Sequence, residues 1–268
     1  MGPALDPRPA ATVMVVRSDS GSLEVLMLRR NLASAFVSGA HVFPGGAVDD
    51  GDGAPGMLAC CSGRSDDDAN RILSLDSGGL RYWVTALREC FEEAGVLVAN
   101  GPEGLPLSFE DPDVAHRFVE HRRDLNTGRR SFLEICRDES LSLPADALHY
   151  VGHWITPEGR PRRYDTRFFV ALAPRGQTAV HDEVETIEHM WVTPAEAVAQ
   201  YERRDIELLL PTVSNLRLLA RYGSTAELLE AVTRVGAVPT MRPVAPRDER
   251  SRPRAVISPD PAWTLREV

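Results

Sequence analysis

Three glutamates are spaced so that an α-helix would bring their carboxylates to one face. Glu89, Glu92 and Glu93 stand at positions i, i+3 and i+4, which lie together on a helix surface. Like charges at this spacing repel one another, and Arg88 is the cation beside them in the sequence. Mg²⁺ or Mn²⁺ would relieve the repulsion, because these hard cations take carboxylate oxygens and can be shared with substrate phosphates. A solvated acidic helix face is the alternative, and it is the commoner outcome of such a cluster.

The segment that would carry these glutamates has the strongest helical pattern in the chain. Its apolar residues recur at helical spacing, and Gly95 stands where a glycine often ends a helix. Val96–Val98 then predicts a β-strand. The apolar positions of the helix are Leu80, Trp83, Val84, Leu87, Phe91 and Ala94.

The part of the chain before this helix predicts a β-hairpin and then a glycine-rich bend. Thr12–Arg17 and Leu23–Leu28 are β-rich runs separated by turn residues. The bend lies in Gly39–Gly46. Asp49–Gly79 is rich in Asp and Gly, which indicates a flexible surface insertion with a short helix near Ala69–Leu75.

The remaining patterns predict one mixed α/β domain over residues 8–236. A helical insertion is expected at about residues 110–145, and the six prolines after residue 238 predict an extended or disordered tail over residues 237–268. Further strands are expected at residues 148–156, 163–173 and 187–192, and C-terminal helices at residues 194–203, 211–221 and 225–235.

Charge and composition narrow the classes of function. The chain has 268 residues and a formal net charge of −9, so broad binding to nucleic acid is not expected, because neutralising its phosphates needs a basic surface. No apolar run approaches the ~18 residues of a membrane-spanning helix, and Met1–Thr12 has no apolar block of a secretory signal. The four cysteines lack metal-ligand spacing, which favours reduced thiols. We expect a cytoplasmic protein that could form a homodimer.

The segment Arg88–Val96 resembles the second half of the sequence box of the Nudix family, Arg-Glu-U-x-Glu-Glu-x-Gly-U, where U is apolar. Each specified position matches. The first half of that box is a glycine, five residues, a glutamate and seven residues. Gly46 is the matching glycine, but Arg88 follows it by 42 positions instead of 14, so 28 residues are inserted. Leu80 stands eight positions before Arg88, where the glutamate is expected.

An interrupted box is similar to that of the coenzyme A diphosphatase branch of the family. Gly39–Gly46 fits the Gly-x-x-x-Phe-Pro-Gly-Gly part of a coenzyme A signature, and Arg29 and Arg30 lie where its first arginine is expected. Ala35 replaces its second arginine. The resemblance implies a Nudix-type α/β/α sandwich with a mixed β-sheet, an inserted loop with helices, and C-terminal helices.

The activity that the resemblance implies is metal-dependent hydrolysis of a diphosphate bond in a small molecule. Coenzyme A or acyl-coenzyme A is the expected substrate, with Mg²⁺ or Mn²⁺ as cofactor. Glu92 and Glu93 would be metal ligands, and Glu89 would be a third ligand or the base. Glu185, in a later acidic loop, is a second candidate for the base.

Substrate contacts also follow from the resemblance. Gly45 and Gly46 would let the backbone pass close to metal and phosphate, with a backbone carbonyl at Gly46 as a further ligand. Arg29 and Arg30 would hold the 3′-phosphate of coenzyme A, because arginine forks match phosphate oxygens. A further arginine pair would contact phosphate if the strand register places both on one face: Arg163 and Arg167.

Two alternatives stay open at this point. The same chemistry could act on ADP-ribose or a nucleotide sugar, an option that Ala35 favours. A Nudix-fold protein that senses nucleotides without cleaving them is the other, although the loss of box carboxylates that would mark it is not seen.

Overall fold

A mixed β-sheet between two helical layers forms the body of the protein, as a computed structural model describes it for residues 5–19, 21–31 and 39–243. The strands are β1 (Arg8–Asp19), β2 (Ser22–Arg30), β3 (His41–Val42), β4 (Gly45–Ala47), β5 (Cys61–Ser62), β6 (Leu143–Pro144), β7 (His149–Ile155), β8 (Tyr164–Leu172), β9 (Thr186–Val192) and β10 (Thr240–Met241). The α-helices are α1 (Pro55–Leu58), α2 (Asp66–Leu73), α3 (Arg81–Ala94), α4 (Pro112–Asn126), α5 (Phe132–Asp138), α6 (Pro194–Arg203), α7 (Leu210–Leu219) and α8 (Thr225–Thr233), with 3₁₀ turns at Asp50–Gly53 and Ala145–Ala147.

Strand β1 is the centre of the sheet. It pairs in parallel with β8 and antiparallel with both β2 and β4. The strand order is β10-β7-β8-β1-β2-β3, with β4 also on β1 and β9 also on β2. Because β4 lies on the N-terminal half of β1, the predicted glycine bend is fixed to the middle of the sheet.

Each face of the sheet has its own apolar core. On one face, Trp83 of α3 is fully buried, packs on Phe169 with ring centroids 4.8 Å apart, and donates its indole N–H to the carbonyl of Leu148. On the other face, α7 and α8 contribute the fully buried Leu216 and Leu228. The expected α/β/α sandwich is therefore confirmed.

The predicted hairpin and helices are present, but the predicted strand at Val96–Val98 is wrong. Gly95 ends α3 in the left-handed conformation at φ 67°, as expected. The chain then runs without a strand partner, because the side-chain amide of Gln177 bonds both backbone groups of Leu97 at 2.9 Å. Gln177 thus takes the hydrogen bonds that a neighbouring strand would otherwise make.

The Asp- and Gly-rich insertion is a folded part of the core, so the expectation of a flexible surface loop was wrong. Met57 and Leu73 are buried in the same cluster as α3. Ser65 caps α2 with its hydroxyl, and Asp66 accepts the backbone N–H groups of Gly78 and Leu80. These acidic side chains satisfy backbone donors at the ends of helices, which is why their number did not signal disorder.

The C-terminal boundary differs from the expected one. Thr240–Met241 pairs in parallel with β7, so the sheet continues past residue 236. The rest of the proline-rich tail, from residue 244, lies outside the described residues, as does Ala35.

Two further expectations concern the cysteines and membrane-spanning helices. Cys60, Cys61, Cys90 and Cys136 are all free thiols. Among the described helices, none has the length and apolar character needed to cross a bilayer.

Candidate active site

The three glutamates of α3 lie against the glycine bend. The backbone N–H of Gly45 donates to Oε2 of Glu93 at 2.9 Å. A Cβ atom on Gly46 would lie 2.4 Å from Oε1 of Glu89, so any larger residue at this position would displace the carboxylate. Glu93 is 4% exposed. The acidic face is therefore enclosed, and the alternative of a freely solvated helix face does not hold.

Arg88 is buried at the centre of this cluster and binds carboxylates on three sides. Its Nη1 donates to Glu89 at 2.9 Å and to Glu92 at 3.0 Å. Its Nε and Nη2 donate to the two oxygens of Asp52, both at 2.8 Å. Burial alone would lower the pKa of Arg88, but the hydrogen bonds and charges of these carboxylates raise it well above its ordinary value.

The pKa values of all three glutamates are raised, because their carboxylates are buried close to one another. Burial raises the pKa of Glu89 to about 7, with Arg88 opposing the rise and Glu92 adding to it. Burial also raises the pKa of Glu92, and raises that of Glu93 well above its ordinary value, with the charge of Glu89 adding to the latter. Arg88 therefore does not fully compensate for the negative charge gathered here.

Glu185 lies in the loop before β9, at the open side of the cluster. It is exposed, yet its charge raises the pKa of both Glu89 and Glu93. Asp182 holds this loop, because it accepts the backbone N–H groups of Glu185 and Thr186 and the hydroxyl of Thr186. Asp182 is thus occupied as a structural residue, while Glu185 faces the cluster.

The C-terminal end of α3 is fixed from α4, a contact that no sequence motif indicated. Arg122 and Asn126 donate to the carbonyl of Glu92 at 2.9 and 3.1 Å. A cation and an amide at the free carbonyls of a helix end stabilise that end. The two side chains therefore position the turn that carries Glu92 and Glu93.

The predicted arginines divide into two groups. Arg29 and Arg30 end β2 on the side of Glu185: Arg29 pairs with Glu188 at 3.2 Å, and Arg30 lies 4.0 Å from Glu185. Arg30 also lowers the pKa of Glu93, which places it close to the cluster.

Arg163 and Arg167 are not brought to the glutamates. Arg163 donates to the carbonyls of Thr156 and Leu5 at the start of β8. Arg167 is buried on β8, next to Tyr82 and Asp165. Their role as phosphate contacts stays a prediction.

Comparison with known proteins assigns the chain to a family. The model of the NUDT19 Nudix domain matches residues 63–219. The chain belongs to the Nudix family. It is 28% identical over 239 residues to acyl-coenzyme A diphosphatase NUDT19 of Gallus gallus, covering 76% of this chain and 63% of the relative. For the Homo sapiens protein of that name the identity is 27% over 233 residues, covering 76% and 62%. The chain thus spans less than two thirds of the length of these relatives.

A solved Nudix structure shares the fold. The NUDIX hydrolase from Alicyclobacillus acidocaldarius superposes with a TM-score of 0.65 at 24% identity, covering 87% of this chain and 99% of that protein.

Asp52 completes the Nudix box from a position that the sequence analysis overlooked. It stands six residues after Gly46, where the box has its glutamate when counted from the glycine. Counting back from Arg88 led to Leu80 instead, because the 28 inserted residues lie between Asp52 and Arg88. Asp52 is 2% exposed and also accepts the hydroxyl of Thr85 at 2.8 Å. Spacing from the glycine was the signal that could have found it.

The donors of this Nudix site suit a divalent cation. In the described part of the chain no three metal-ligating side chains already converge on one point; the carboxylates instead bond to Arg88 and to the N–H of Gly45. Glu89 and Glu93 are nevertheless hard oxygen donors whose pKa values are raised by burial and by neighbouring carboxylates, and a cation would offset both effects. The assignment of Glu89, Glu92, Glu93 and Gly46 as ligands stays a prediction.

Breaking the Asp52–Arg88 pair should destabilise the fold. In the Asp52→Asn variant Arg88 loses a buried counter-ion, and we expect the free energy of unfolding to fall by about 3 kcal/mol. Asp49→Asn is the matched control, because Asp49 lies 3.7 Å from Arg88 with an exposed side chain and should change stability by less than about 1 kcal/mol. Urea denaturation followed by circular dichroism measures both. Equal effects would contradict the role of Asp52.

The buried glutamates should make the folding stability of the metal-free protein fall as pH rises. A carboxyl with a raised pKa keeps its proton when folded and releases it when unfolded, so stability is lost between its ordinary pKa of 4.5 and the value of about 7 for Glu89. We expect Glu89→Gln to reduce this loss in thermal melts with EDTA between pH 5 and about 8. Glu134→Gln is the control, because hydrogen bonds from Ser131 lower the pKa of Glu134. An unchanged pH dependence in Glu89→Gln would contradict the assignment.

Proposed function

We propose that the protein is a divalent-cation-dependent hydrolase that cleaves the diphosphate bond of coenzyme A or an acyl derivative. The products would be 3′,5′-ADP and the corresponding 4′-phosphopantetheine. The observation that carries the proposal is the enclosure of Glu89, Glu92 and Glu93 against the bend at Gly45 and Gly46. The substrate class rests on the relatives named acyl-coenzyme A diphosphatase.

Each box residue has a role that its surroundings support. Glu92 and Glu93, at the fixed end of α3, would hold Mg²⁺ or Mn²⁺, with a backbone carbonyl at Gly46 as a further donor. When bound, such an ion neutralises charge on the diphosphate oxygens and lowers the pKa of the attacking water. Arg88 would keep the carboxylates in place through the whole reaction, because Asp52 fixes its guanidinium from behind.

Two glutamates are candidates for the base that takes a proton from water. Glu89 has a pKa of about 7, which suits proton transfer near neutral pH. Glu185 is exposed on the open side of the cluster and is the second candidate. Its loop is held by Asp182, so the position of Glu185 is defined before substrate binds.

Arg29 and Arg30 are proposed to recognise the 3′-phosphate of coenzyme A. The exposed carboxylates of Glu188 and Glu185 are among their present partners. Such surface pairs are weak, and a phosphate can displace them with a stronger, forked contact. We further propose a cytoplasmic location and a small-molecule substrate.

A substrate panel with product mass analysis tests the activity. With Mg²⁺ or Mn²⁺, coenzyme A should yield 3′,5′-ADP and 4′-phosphopantetheine. The double variant Glu92→Gln/Glu93→Gln should lose at least about 100-fold in kcat, because several kcal/mol of charge stabilisation are removed. Glu230→Gln, a helical glutamate paired with Arg234 on α8, is the control and should retain full activity.

The panel also separates the alternatives. Preferential cleavage of ADP-ribose or a nucleotide sugar would replace coenzyme A as substrate and keep the chemistry. Binding of these compounds without turnover by either metal would identify a sensor and refute the hydrolase.

Arg29 and Arg30 predict a difference between two substrates. Arg29→Ala and Arg30→Ala should each lower kcat/KM for coenzyme A about tenfold or more, and should affect dephospho-coenzyme A much less, because a charged contact to the 3′-phosphate is lost only with the former. Arg17→Ala, elsewhere on the hairpin, should affect neither substrate. Equal losses on both substrates would remove the 3′-phosphate role.

A further inference from the structure

A cavity lies away from the glutamate cluster, and none of the three glutamates lines it. It has a volume of about 740 Å³ and is enclosed by α2, β7, β8 and the segment of residues 232–240. Its lining contains three arginines, Arg64, Arg71 and Arg167. Among the described residues of the lining, the one carboxylate is that of Asp146. The lining is therefore positively charged, in a chain whose net charge is −9.

Arg167 is a buried cation that hydrogen-bonds the side chain of Tyr150 but leaves part of its donor capacity unused. It is 4% exposed, and neither its Nε nor its Nη1 has a hydrogen-bond acceptor among the described residues. Its guanidinium stacks over the ring of Tyr82 at 5.7 Å. The nearest carboxylate, Asp165, is 3.6 Å away and already bonds His153 at 2.6 Å. Buried N–H groups without acceptors are costly, and an anion that enters the cavity would supply acceptors for these two.

Arg64 presents a second unused donor to the same space. It comes from the insertion between β5 and α2, and its buried Nε also lacks an acceptor in the described chain. Its guanidinium stacks over the indole of Trp83 at 5.1 Å. Arg71, by contrast, bonds Asp68 at 2.9 Å with an exposed side chain. Arg64 and Arg167, from two different elements, are therefore the pair available to a ligand.

We propose that this cavity binds the phosphate group of a phosphorylated small organic molecule, held by the guanidinium groups of Arg64 and Arg167. Arginine forks donate two hydrogen bonds at once to phosphate oxygens. The volume lies within the range of sites that enclose small molecules, roughly 300–1,000 Å³, and leaves room for an organic group beside Tyr150 and Val238.

The ligand has two possible sources, and the sheet register allows both. Arg167 pairs with Ala11, and Ala11 pairs with Gly46, so the backbones of Arg167 and Gly46 are two strand spacings apart, about 10 Å. The phosphate could therefore belong to the far end of a substrate whose diphosphate lies at Gly46, in which case Arg64 and Arg167 would take the 3′-phosphate role proposed above for Arg29 and Arg30. It could equally belong to a separate phosphorylated metabolite.

Calorimetric titration of the metal-free full-length protein with AMP and with inorganic phosphate tests the site. Arg64→Gln and Arg167→Gln should each weaken AMP binding about tenfold, which corresponds to about 1.4 kcal/mol. Arg217→Gln, a surface arginine paired with Glu202, should bind AMP like the unmodified protein. Because no turnover is needed, the measurement is independent of the proposed hydrolase activity.

The proposal is overturned if neither probe binds at millimolar concentration, or if both cavity variants keep the original affinity. Circular dichroism checks that the variants fold. Should Arg167→Gln not fold, Arg64→Gln carries the test, because Arg64 is only partly buried.

Steady-state kinetics then identify the source of the phosphate. If the occupant is part of the substrate, Arg64→Gln should raise KM with little change in kcat. If it is a separate metabolite, KM should stay unchanged while the effect of AMP on the rate is lost in the variant. Either result supports the site.

Discussion

The enclosed position of Arg88 among three carboxylates is the constraint on which the rest of the site depends. Removing a guanidinium from water is tolerated only with close counter-ions, and here Asp52, Glu89 and Glu92 supply them. The same hydrogen bonds tie Asp52, Glu89 and Glu92 to one guanidinium. The buried charge of Arg88 thus also sets the geometry of the carboxylates. A substitution that changes this geometry should therefore also change the stability of the fold.

Strand β1 explains how residues from distant parts of the chain meet at this point. Its N-terminal half carries β4 and therefore Gly45 and Gly46, while its C-terminal half carries β2, which ends at Arg30. Helix α3 packs over the same strand, with Val13 and Val15 below and Phe91 above in one apolar cluster. The sheet supplies rigid backbone for the bend, and the loop before β9 adds Glu185 from the side.

The predictable parts of the fold and site were those encoded by local spacing. Helix α3, its cap at Gly95 and the shared face of Glu89 and Glu93 follow from periodicity, because a helix fixes the relation between residues a few positions apart. The contact of Arg122 with α3 joins residues about 30 positions apart, and no pattern along the chain encodes it. Composition failed for the insertion because its acidic residues bond backbone N–H groups, a use of charge that counting cannot distinguish from solvation.

The interruption of the box separates Asp52 from Arg88 by 36 positions, where an unbroken box would have eight. Because loop closure becomes harder only with the logarithm of length, this extension costs about 1.3 kcal/mol in chain entropy, which is less than the cost of about 3 kcal/mol for removing one partner of a buried charge pair. The Nudix box therefore tolerates added chain between Asp52 and Arg88. The insertion packs against the start of α3 and can acquire binding features of its own, so that new selectivity can arise by lengthening the chain while the end of the helix that carries Glu92 and Glu93 stays unchanged.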